Sequence, residues 1–449
     1  MTIGERAVVL GASMAGLVSA RVLAERFEQV VLVDRDRLPD GPEHRIGVPQ
    51  AHHVHGLLCG GTRLLEGLMP GLTDDLVADG ALTGDPGTFG RWFNGGAYAR
   101  RTPSGLEGVA VTRPLLEAHV RRRVLSLPNV GLRADRTARG LEAAGSRVSG
   151  VRLTPRGGGG PTEALGADLV VDATGRGSRA GAFLATLGYP PAPEELVRVD
   201  LGYSTRLYAR APGDMGEDFL VNVAAQPPNR RLGVALAVEG ERWMVTLAGM
   251  LGDHPPADPE GFRSFAQGLP APDVAELVAR CEPLGDAVLT RFPANRRRRY
   301  ERLRRMPERF VVLGDALCCF NPVYGQGMSV AAREAAALGA CLDARGLDEG
   351  LPRRFFRAVA TVVDVPWAMA TGNDLRFTGV EGRRGPRVRA VNRYLPRLHR
   401  AAARDPAVAV AFHRVANLVD PPSALLRPAV ARRVLRPRRR VPWRPAIEP

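Results

Sequence analysis

The first 34 residues place a strand, a glycine turn, a helix and a second strand in immediate succession. Residues 7–11 (AVVLG) form an apolar run that ends in glycine, and residues 14–26 carry alanine, leucine and valine at helical spacing. Residues 30–34 (VVLVD) form a second apolar run, which ends in an acid. Short apolar runs are typical of parallel strands buried on both faces, and a helix between two of them predicts a βαβ unit. The sequence therefore predicts an α/β fold with a Rossmann-like domain at its start.

The turn at residues 11–16 (GASMAG) fits a dinucleotide-binding fingerprint. Gly11 permits the tight turn, Ser13 stands where the backbone approaches a pyrophosphate, and Gly16 lets the helix pack on the strand. Asp34 ends the second strand, where its carboxylate can accept hydrogen bonds from ribose hydroxyls. The alternative is a tight turn in some other doubly wound domain. The residues predicted to hold the dinucleotide in this unit are Gly11, Ser13, Met14, Ala15, Gly16, Asp34 and Arg35.

The rest of the chain divides into regions of different pattern. Four runs between residues 197 and 248 alternate apolar with polar residues, which predicts an antiparallel sheet with one solvated face. Residues 310–328 return to an apolar strand followed by glycines, and the tail beyond residue 351 has a helical, arginine-rich pattern. The predicted domains are a nucleotide-binding domain in two parts (1–190 and 291–345), an inserted antiparallel substrate-binding sheet (191–290) and a C-terminal helical region (346–449).

The chain carries a net charge of +15, and all 62 of its basic residues other than histidine are arginine. Complete replacement of lysine indicates a coding bias more than a selected binding surface. Two dense arginine runs, 296–305 and 432–444, contain few aromatic residues for base stacking, so we expect no nucleic-acid binding. We interpret both runs as solvated arginine faces, with docking to an acidic partner or a membrane surface as the alternative.

Five scattered cysteines show neither a CxxC spacing nor a disulfide framework, which favours reduced thiols in a cytoplasmic protein. No apolar stretch is long enough to cross a bilayer, and the N-terminus shows no secretory signal. We therefore expect a cytoplasmic protein without a transmembrane segment.

A second glycine motif lies some 300 residues after the first. Gly314-Asp315-Ala316 follows an apolar strand, and Pro322 precedes the segment 325–328 (GQGM) at the start of a helix. With the first turn, this motif resembles FAD-dependent monooxygenases of the aromatic-hydroxylase superfamily. The resemblance implies that Asp315 binds a ribitol hydroxyl of FAD. It also implies that Pro322, Gly325, Gln326 and Gly327 face the flavin ring edge, where the helix N-terminus stabilises the reduced anion.

Further segments support the resemblance. Arg113 stands at a helix start, where the family has an FAD-contacting arginine, although pairing with Glu117 is the alternative. Residues 45–55 (RIGVPQAHHVH) resemble a segment of the polyether- and polyene-type epoxidases, and residues 173–175 (ATG) resemble a motif near the adenosine half of the cofactor. The remaining residues that the resemblance assigns to FAD are Arg45, Gln50, Arg113, Thr174, Gly175, Gly314, Asp315, Pro322, Gly325, Gly327 and Met328.

His52, His53 and His55 lie within the epoxidase-like segment. We expect them to order the loop or bind the flavin phosphates and expect no metal site, because no cysteine or carboxylate ligand lies nearby in sequence. The adjacent Cys318 and Cys319 have apolar flanks, which favours small core residues over redox chemistry.

Two departures from the family narrow the function. Phenol hydroxylases have histidine where this chain has Cys318, and a DG motif where it has residues 173–175, so direct NADPH binding is in question. Reduction of FAD by NAD(P)H, directly or through a partner flavin reductase, is therefore expected. Flavin halogenases use a lysine to hold hypohalous acid, and this chain has no lysine, which argues against halogenation.

The sequence thus predicts an FAD-dependent monooxygenase that inserts one oxygen atom from O2 through the flavin C4a-hydroperoxide. Epoxidation of an alkene in an apolar, possibly carrier-tethered polyketide or polyene intermediate is the favoured reaction. The chemistry is borne by the flavin, so no catalytic side chain is predicted. The alternatives are a flavin-dependent hydroxylase, a reductase of isoprenoid double bonds, and a flavoprotein that binds a carrier-tethered intermediate or a partner through its arginine-rich tail without oxidising anything. The predicted substrate-pocket residues are Tyr203, Phe219, Trp243 and Met244.

Overall fold

The computed structural model describes residues 2–436. The strands are β1 Gly4–Leu10, β2 Phe27–Val33, β3 Leu82–Gly84, β4 Gly90–Asn94, β5 Ala97–Tyr98, β6 Gly108–Ala110, β7 Val130–Arg133, β8 Arg136–Ala144, β9 Arg147–Pro155, β10 Glu163–Gly166, β11 Leu169–Asp172, β12 Glu194–Ala209, β13 Asp214–Glu217, β14 Leu220–Val223, β15 Arg231–Val238, β16 Arg242–Gly249, β17 Val288–Arg298, β18 Phe310–Val312 and β19 Cys318–Cys319. The helices are α1 Met14–Ala24, α2 Cys59–Leu68, α3 Leu72–Ala78, α4 Arg113–Leu125, α5 Ala180–Thr186, α6 Pro259–Gln267, α7 Asp273–Arg280, α8 Gly327–Arg345, α9 Leu351–Asp374, α10 Pro386–Ala402, α11 Pro406–Ala416 and α12 Pro428–Leu435.

A five-stranded parallel sheet forms the Rossmann-like core, with strand order β18-β11-β1-β2-β7. The predicted βαβ unit is present, because β1 pairs in parallel with β2 after the crossover through α1. The apolar runs that predicted these strands are buried on both faces, as parallel strands covered by helices must be. The α/β fold is confirmed. Because β18 lies two strands from β1, the second glycine motif begins close to the first.

The second large sheet has eight strands in the order β19-β17-β12-β16-β15-β14-β4-β5. Its neighbours are antiparallel except for the parallel pair β4–β14. The alternating region from residue 197 to 248 supplies its central strands. Strands β4 and β5, from before residue 100, complete one edge, and β17 joins the sheet to the nucleotide-binding domain through β19.

Helices α10, α11 and α12 contain a small core of their own, whereas the buried apolar side chains of α9 belong to the main hydrophobic core. Within residues 2–436, none of the helices combines the length and the apolar character that crossing a bilayer requires. Of the second arginine run, residues 437–444 lie outside the described part of the chain. The five cysteines are free thiols, and Cys318 and Cys319 are buried, in agreement with their interpretation as core residues.

Only part of the first arginine run is a solvated face. Arg302, Arg304 and Arg305 are exposed, whereas Arg297, Arg298 and Arg299 are paired, contrary to our interpretation of the whole run. Arg297 is only 1% exposed and pairs with Asp364 of α9 at 2.6 Å. Arg298 pairs with Glu194 at 2.9 Å, and Arg299 pairs with Glu195. The carboxylates come from β12 and α9, far away in sequence, so the local charge pattern could not reveal them. These arginines hold strand β17 to its neighbours.

The buried side chain of Glu334 in α8 makes the stability of the fold depend on pH. Its side chain is fully buried, and its Oε2 accepts a hydrogen bond from the backbone N–H of Gly314. Burial raises the pKa of Glu334 from 4.5 to about 8, and the nearby Asp315 adds to this shift. The stabilisation from the neutral carboxyl is fully present below pH 4.5 and is lost as the pH rises through 8.

We predict that Glu334→Gln removes this loss, because the amide cannot ionise and still offers an oxygen to Gly314. Between pH 6 and pH 8 the wild-type chain should lose about 2 kcal/mol of stability that the variant retains. Chemical or thermal unfolding across this pH range measures the difference, with the exposed Glu349→Gln as a matched control. Identical pH profiles for Glu334→Gln and wild type would contradict the assignment.

Candidate functional site

The first glycine turn is compact because two of its positions have no room for a side chain. Gly11 has a φ of +95°, and a Cβ there would lie 2.6 Å from the carbonyl oxygen of Ala173. A Cβ on Gly16 would lie 1.8 Å from the carbonyl oxygen of Gly11. Helix α1 therefore begins directly against the sheet, with its N-terminus at the carboxyl edge of β1, where ligands of such sheets bind. Both glycines are required by packing.

A buried network of charges surrounds this turn. Glu117 of α4 pairs with Arg45 at 2.8 Å and with Arg113 at 3.2 Å, and its Oε2 accepts a hydrogen bond from Ser13 Oγ at 2.9 Å. Arg113 Nη2 also donates to Ser13 Oγ at 2.8 Å. Arg113 thus both pairs with Glu117, the alternative considered above, and reaches the predicted cofactor turn. The serine at the middle fingerprint position turns its hydroxyl toward this network.

The arginines keep Glu117 charged. Burial alone would raise the pKa of Glu117, but the guanidinium groups of Arg113 and Arg45 hold it below its ordinary value. The sequence pattern indicated Glu117 only as a partner for Arg113 on the surface of helix α4. The structure shows it to be 5% exposed, at the centre of the network.

Asp34 also connects the turn to the loop that follows β2. Its Oδ2 accepts hydrogen bonds from the backbone N–H of Ala12 at 2.7 Å and from Arg45 Nη1 at 3.2 Å. Its Oδ1 accepts from the backbone N–H of Asp36 at 2.8 Å. Asp34 therefore fixes the glycine turn in position, and its contact with ribose stays a prediction.

The two glycine motifs meet in space. A Cβ on Gly314 would lie 2.8 Å from the Cβ of Ala15, so the second motif packs against the first. A Cβ on Gly327 would lie 3.9 Å from Asp315 Oδ1, which places that carboxylate beside the start of α8. One cavity of about 1650 Å³ passes both turns. Burial raises the pKa of Asp315, partly offset by the charges of Arg176 and Arg113.

The turn that carries Pro322 and Gly325 is held by a buried aspartate at the end of α9. Asp374 accepts hydrogen bonds from Tyr324 Oη at 2.6 Å, Asn295 Nδ2 at 2.8 Å and Asn321 Nδ2 at 3.0 Å. Burial raises the pKa of Asp374 to about 6, so the carboxylate is ionised at pH 7 and accepts all three. Nothing in the local sequence pattern near residue 374 indicated this role.

The histidine loop lies over the same turn. His53 is 2% exposed, and its ring nitrogens lie 2.7 Å from Thr205 Oγ1 and 2.8 Å from Thr290 Oγ1. Burial lowers the pKa of His53 to about 3, so the ring is neutral. Gly56 lies against Gly325, and a Cβ on Gly325 would be 3.3 Å from the Cα of Gly56. His53 therefore orders the loop, which is one of the two roles predicted for these histidines. Within residues 2–436, no group of three metal-ligating side chains comes together.

Most of the predicted site residues line the one cavity. They are Gly11, Ser13, Met14, Ala15, Asp34, Arg35, Arg45, Gln50, Arg113, Thr174, Gly175, Tyr203, Phe219, Asp315, Pro322, Gly325, Gln326, Gly327 and Met328. Gly16 and Gly314 are not among the lining residues; Gly16 packs against Gly11, and Gly314 packs against Ala15. Trp243 and Met244 do not line the cavity, although both are buried in the second hydrophobic core. Successive residues of a strand face opposite sides. Met244 therefore lies on the same face as Thr246 and Ala248, which line the cavity, and Trp243 lies on the opposite face.

A large part of the cavity wall comes from residues that no sequence pattern indicated. Residues of α9, α10 and α11 line it together with the eight-stranded sheet, among them Trp367, Leu398, His399 and Phe412. Arg176, which follows the ATG segment, also faces the cavity beside Phe292. A helical, arginine-rich tail has no local feature that indicates such a surface.

The residues present fit FAD. Helices α1 and α8 both begin at the cavity, and neither N-terminus has a side-chain hydrogen-bond cap, so their N–H groups and dipoles can meet phosphate and flavin. Gln326 is 4% exposed, and its Oε1 has no partner within the described residues, which suits a ring N–H. The volume exceeds the roughly 300–1,000 Å³ of a pocket for one small ligand, so a cofactor and a substrate fit together.

Comparison with curated proteins finds relatives that cover most of this chain. No family model matches the chain. It is 34% identical over 430 residues to Protein Rv3254 of Mycobacterium tuberculosis, covering 93% of this chain and 90% of that protein. It is 28% identical over 365 residues to kynurenine 3-monooxygenase of Salinispora tropica, covering 76% of this chain and 73% of that enzyme.

Solved structures share the fold. The flavin-dependent brominase Bmp2 superimposes with a TM-score of 0.66 at 13% identity, covering 92% of this chain and 93% of Bmp2. PqsL, a probable FAD-dependent monooxygenase from Pseudomonas aeruginosa, gives 0.60 at 18% identity, covering 84% of this chain and 99% of PqsL. At these identities the likeness concerns the fold alone, which is that of flavin-dependent monooxygenases.

We predict that Asp374→Asn weakens FAD binding about tenfold. An amide at this position brings N–H groups against the donors of Asn295, Asn321 and Tyr324, and an unsatisfied buried polar group is worth about 1–3 kcal/mol. Titration of the apoprotein with FAD measures the effect. Asp348→Asn, beyond the other end of the same helix, is the matched control. Wild-type affinity in Asp374→Asn would show that the network does not support the ring-edge turn.

Proposed function

We propose that this chain, which belongs to the family of Protein Rv3254 of Mycobacterium tuberculosis, is an FAD-dependent monooxygenase. The observation that carries this proposal is the meeting of the two glycine motifs, Gly314 against Ala15, at one continuous cavity. FAD is long enough to need both a diphosphate site and a ring site, and the two turns offer these at the N-termini of α1 and α8.

The residues of the first turn would hold the diphosphate and the adenosine half. The N-terminus of α1 would bind phosphate, with Arg45 and Arg113 adding positive charge beside it. Thr174 and Gly175 line the neighbouring wall. Because Glu117 and Asp34 already hold Arg45 in place, little side-chain ordering would be needed when the cofactor binds.

The residues of the second turn would hold the ribityl chain and the ring. Asp315 would accept a hydrogen bond from a ribitol hydroxyl. The N–H groups at the start of α8 would face the pyrimidine edge of the flavin ring. When bound, FAD supplies the electrons and the reactive oxygen from O2. The protein's own part is then to align the substrate beside the ring and to exclude water, which the histidine loop and helices α9 to α11 do by covering the cavity.

We further propose that the oxygen acceptor is a carbon–carbon double bond in an apolar natural-product intermediate. The cavity wall over the sheet is largely aliphatic and aromatic, which suits a substrate of this kind. The two histidines near the ring turn are poor bases, because burial lowers the pKa of His53 to about 3 and that of His55 to about 4. An electron-rich alkene needs no base, whereas hydroxylation of a phenol is assisted by one.

The labelled-oxygen experiment described below also distinguishes the alternative reactions. Hydroxylation of an aromatic substrate and reduction of isoprenoid double bonds remain the alternative functions on this fold. Halogenation is disfavoured despite the likeness to Bmp2, because the chain contains no lysine. The proposal requires electrons from NAD(P)H, directly or through a partner flavin reductase.

We predict that Asp315→Ala lowers FAD affinity about tenfold, since removing one partner of a buried hydrogen bond costs about 1–3 kcal/mol. Flavin fluorescence during titration of the apoprotein measures the loss. The exposed Asp286→Ala serves as the control. Unchanged affinity in Asp315→Ala would contradict the assignment to the ribityl chain.

We predict that the holoprotein, supplied with a polyene, NADPH, a flavin reductase and labelled O2, places one labelled oxygen atom in each product molecule. Mass spectrometry of the product measures this incorporation. An epoxide supports the finer proposal, and a phenol supports the hydroxylase alternative. A reduced product without label would contradict monooxygenation.

A further inference from the structure

The cavity extends far beyond the part that FAD would occupy. Its floor is one face of the eight-stranded sheet, from Tyr203 on β12 across β16, β15 and β14 to Trp92 and Asn94 on β4. Four strand spacings of about 4.8 Å separate Tyr203 from Asn94, or about 19 Å along the sheet. Tyr203 lies at the flavin end, because the His53 ring packs edge-on against it at 4.3 Å between centroids.

One row of residues across the floor between these ends is apolar. Registered pairs place Leu232 beside Ala248, and Ala248 beside Tyr203, in one row across the sheet. Ala224, Leu232 and Ala248 line the cavity and offer no side-chain hydrogen bond. A ligand lying along this row would contact aliphatic side chains for most of its length.

The far end is different, because it contains two polar atoms without partners. Asn94 Nδ2 and His399 Nδ1 are both buried from solvent and have no hydrogen-bond partner within residues 2–436. Both side chains line the cavity, and they belong to elements in contact, since a Cβ on Gly95 would lie 2.8 Å from the Cβ of His399. Buried polar atoms are rarely left unpaired in folded proteins, so each of these two atoms is available to form a hydrogen bond with a bound ligand.

Aromatic rings frame these two atoms. Phe412 packs edge-on against His399 at 5.4 Å and against Trp92 at 6.3 Å between centroids. Burial lowers the pKa of His399 to about 4, so its ring is neutral at pH 7. An amide N–H and a neutral imidazole suit a neutral oxygen.

We propose that the substrate is elongated, with an apolar body along the sheet and a hydroxyl or carbonyl oxygen held by Asn94 and His399 about 19 Å from Tyr203. A hydroxyl satisfies both atoms, because it accepts from Asn94 Nδ2 and donates to His399 Nδ1. The apolar residues Val365 of α9, Val391 of α10 and Leu426 after α11, each partly exposed, also line the cavity. This inference rests on the proposed function for the chemistry, but the binding itself does not depend on turnover.

The test uses two probes of equal size, 1-dodecanol and n-tridecane, which contain the same number of non-hydrogen atoms. Each is titrated into the FAD-loaded full-length protein, and binding is followed by the visible spectrum of the flavin and by tryptophan fluorescence. The wild-type protein is expected to bind 1-dodecanol about tenfold tighter than n-tridecane, the value of one or two buried hydrogen bonds. The absence of any preference would overturn the proposal.

Three variants locate the effect. Asn94→Leu and His399→Leu should each lose most of the preference and keep their affinity for n-tridecane, which also shows that their cavities are intact. Asn222→Leu is the matched control, because Asn222 lines the same cavity nearer the middle of the sheet. Loss of the preference in Asn222→Leu, or its retention in Asn94→Leu, would overturn the assignment. Asn94→Ser provides a second variant if Asn94→Leu fails to fold.

These experiments test the proposed binding site and the proposed oxygenation independently of each other. If the preference for 1-dodecanol depends on Asn94 and His399 but no labelled oxygen enters any product, the proposed function is wrong and the binding site stands. If oxygen is incorporated and the preference is absent, the elongated-substrate inference is wrong and the monooxygenase proposal stands.

Discussion

The contact between the two glycine motifs is the constraint on which the rest of this structure depends. Gly314 packs against Ala15, and no larger residue at position 314 fits, because a Cβ there would lie 2.8 Å from that methyl group. The contact is possible because β18 lies two strands from β1, so segments some 300 residues apart end at the same sheet edge. It aligns two helix N-termini along one cavity. An extended cofactor with an anionic middle and an electron-accepting end fits such an arrangement.

Buried charge holds each turn in place. Around the first turn, Glu117 and Asp34 balance Arg45 and Arg113, and around the second turn Asp374 accepts three hydrogen bonds. Removing one partner from such a network leaves another buried and unpaired, which is why each is sensitive to a single substitution. The site is thus pre-organised by residues that need not contact the reacting atoms. Helices α9 to α11 add the apolar cover and a polar far end.

The part of this fold that local pattern encodes was predictable from the sequence. Apolar runs at residues 7–11 and 30–34, with glycine between them, could indicate only a buried βαβ unit, and the fold is confirmed. The roles of Asp374 and His399 were not predictable, because each depends on partners far away in sequence. The arginines at 297–299 looked exposed for the same reason, since their carboxylates come from β12 and α9. Trp243 and Met244 do not reach the cavity for two different reasons: Trp243 lies on the opposite face of β16, and Met244 lies on the face of Thr246 and Ala248 but beyond the cavity wall.

If one FAD molecule bridges both turns, each half of FAD must compete with the whole cofactor for binding. ADP matches the half that the first turn would hold, and FMN matches the half that the second turn would hold. FAD binding to the wild-type apoprotein is measured in the presence of saturating ADP and, separately, saturating FMN. The account predicts that each fragment weakens FAD binding and that ADP and FMN bind together. If either fragment leaves FAD binding unchanged, the two turns do not share a single flavin.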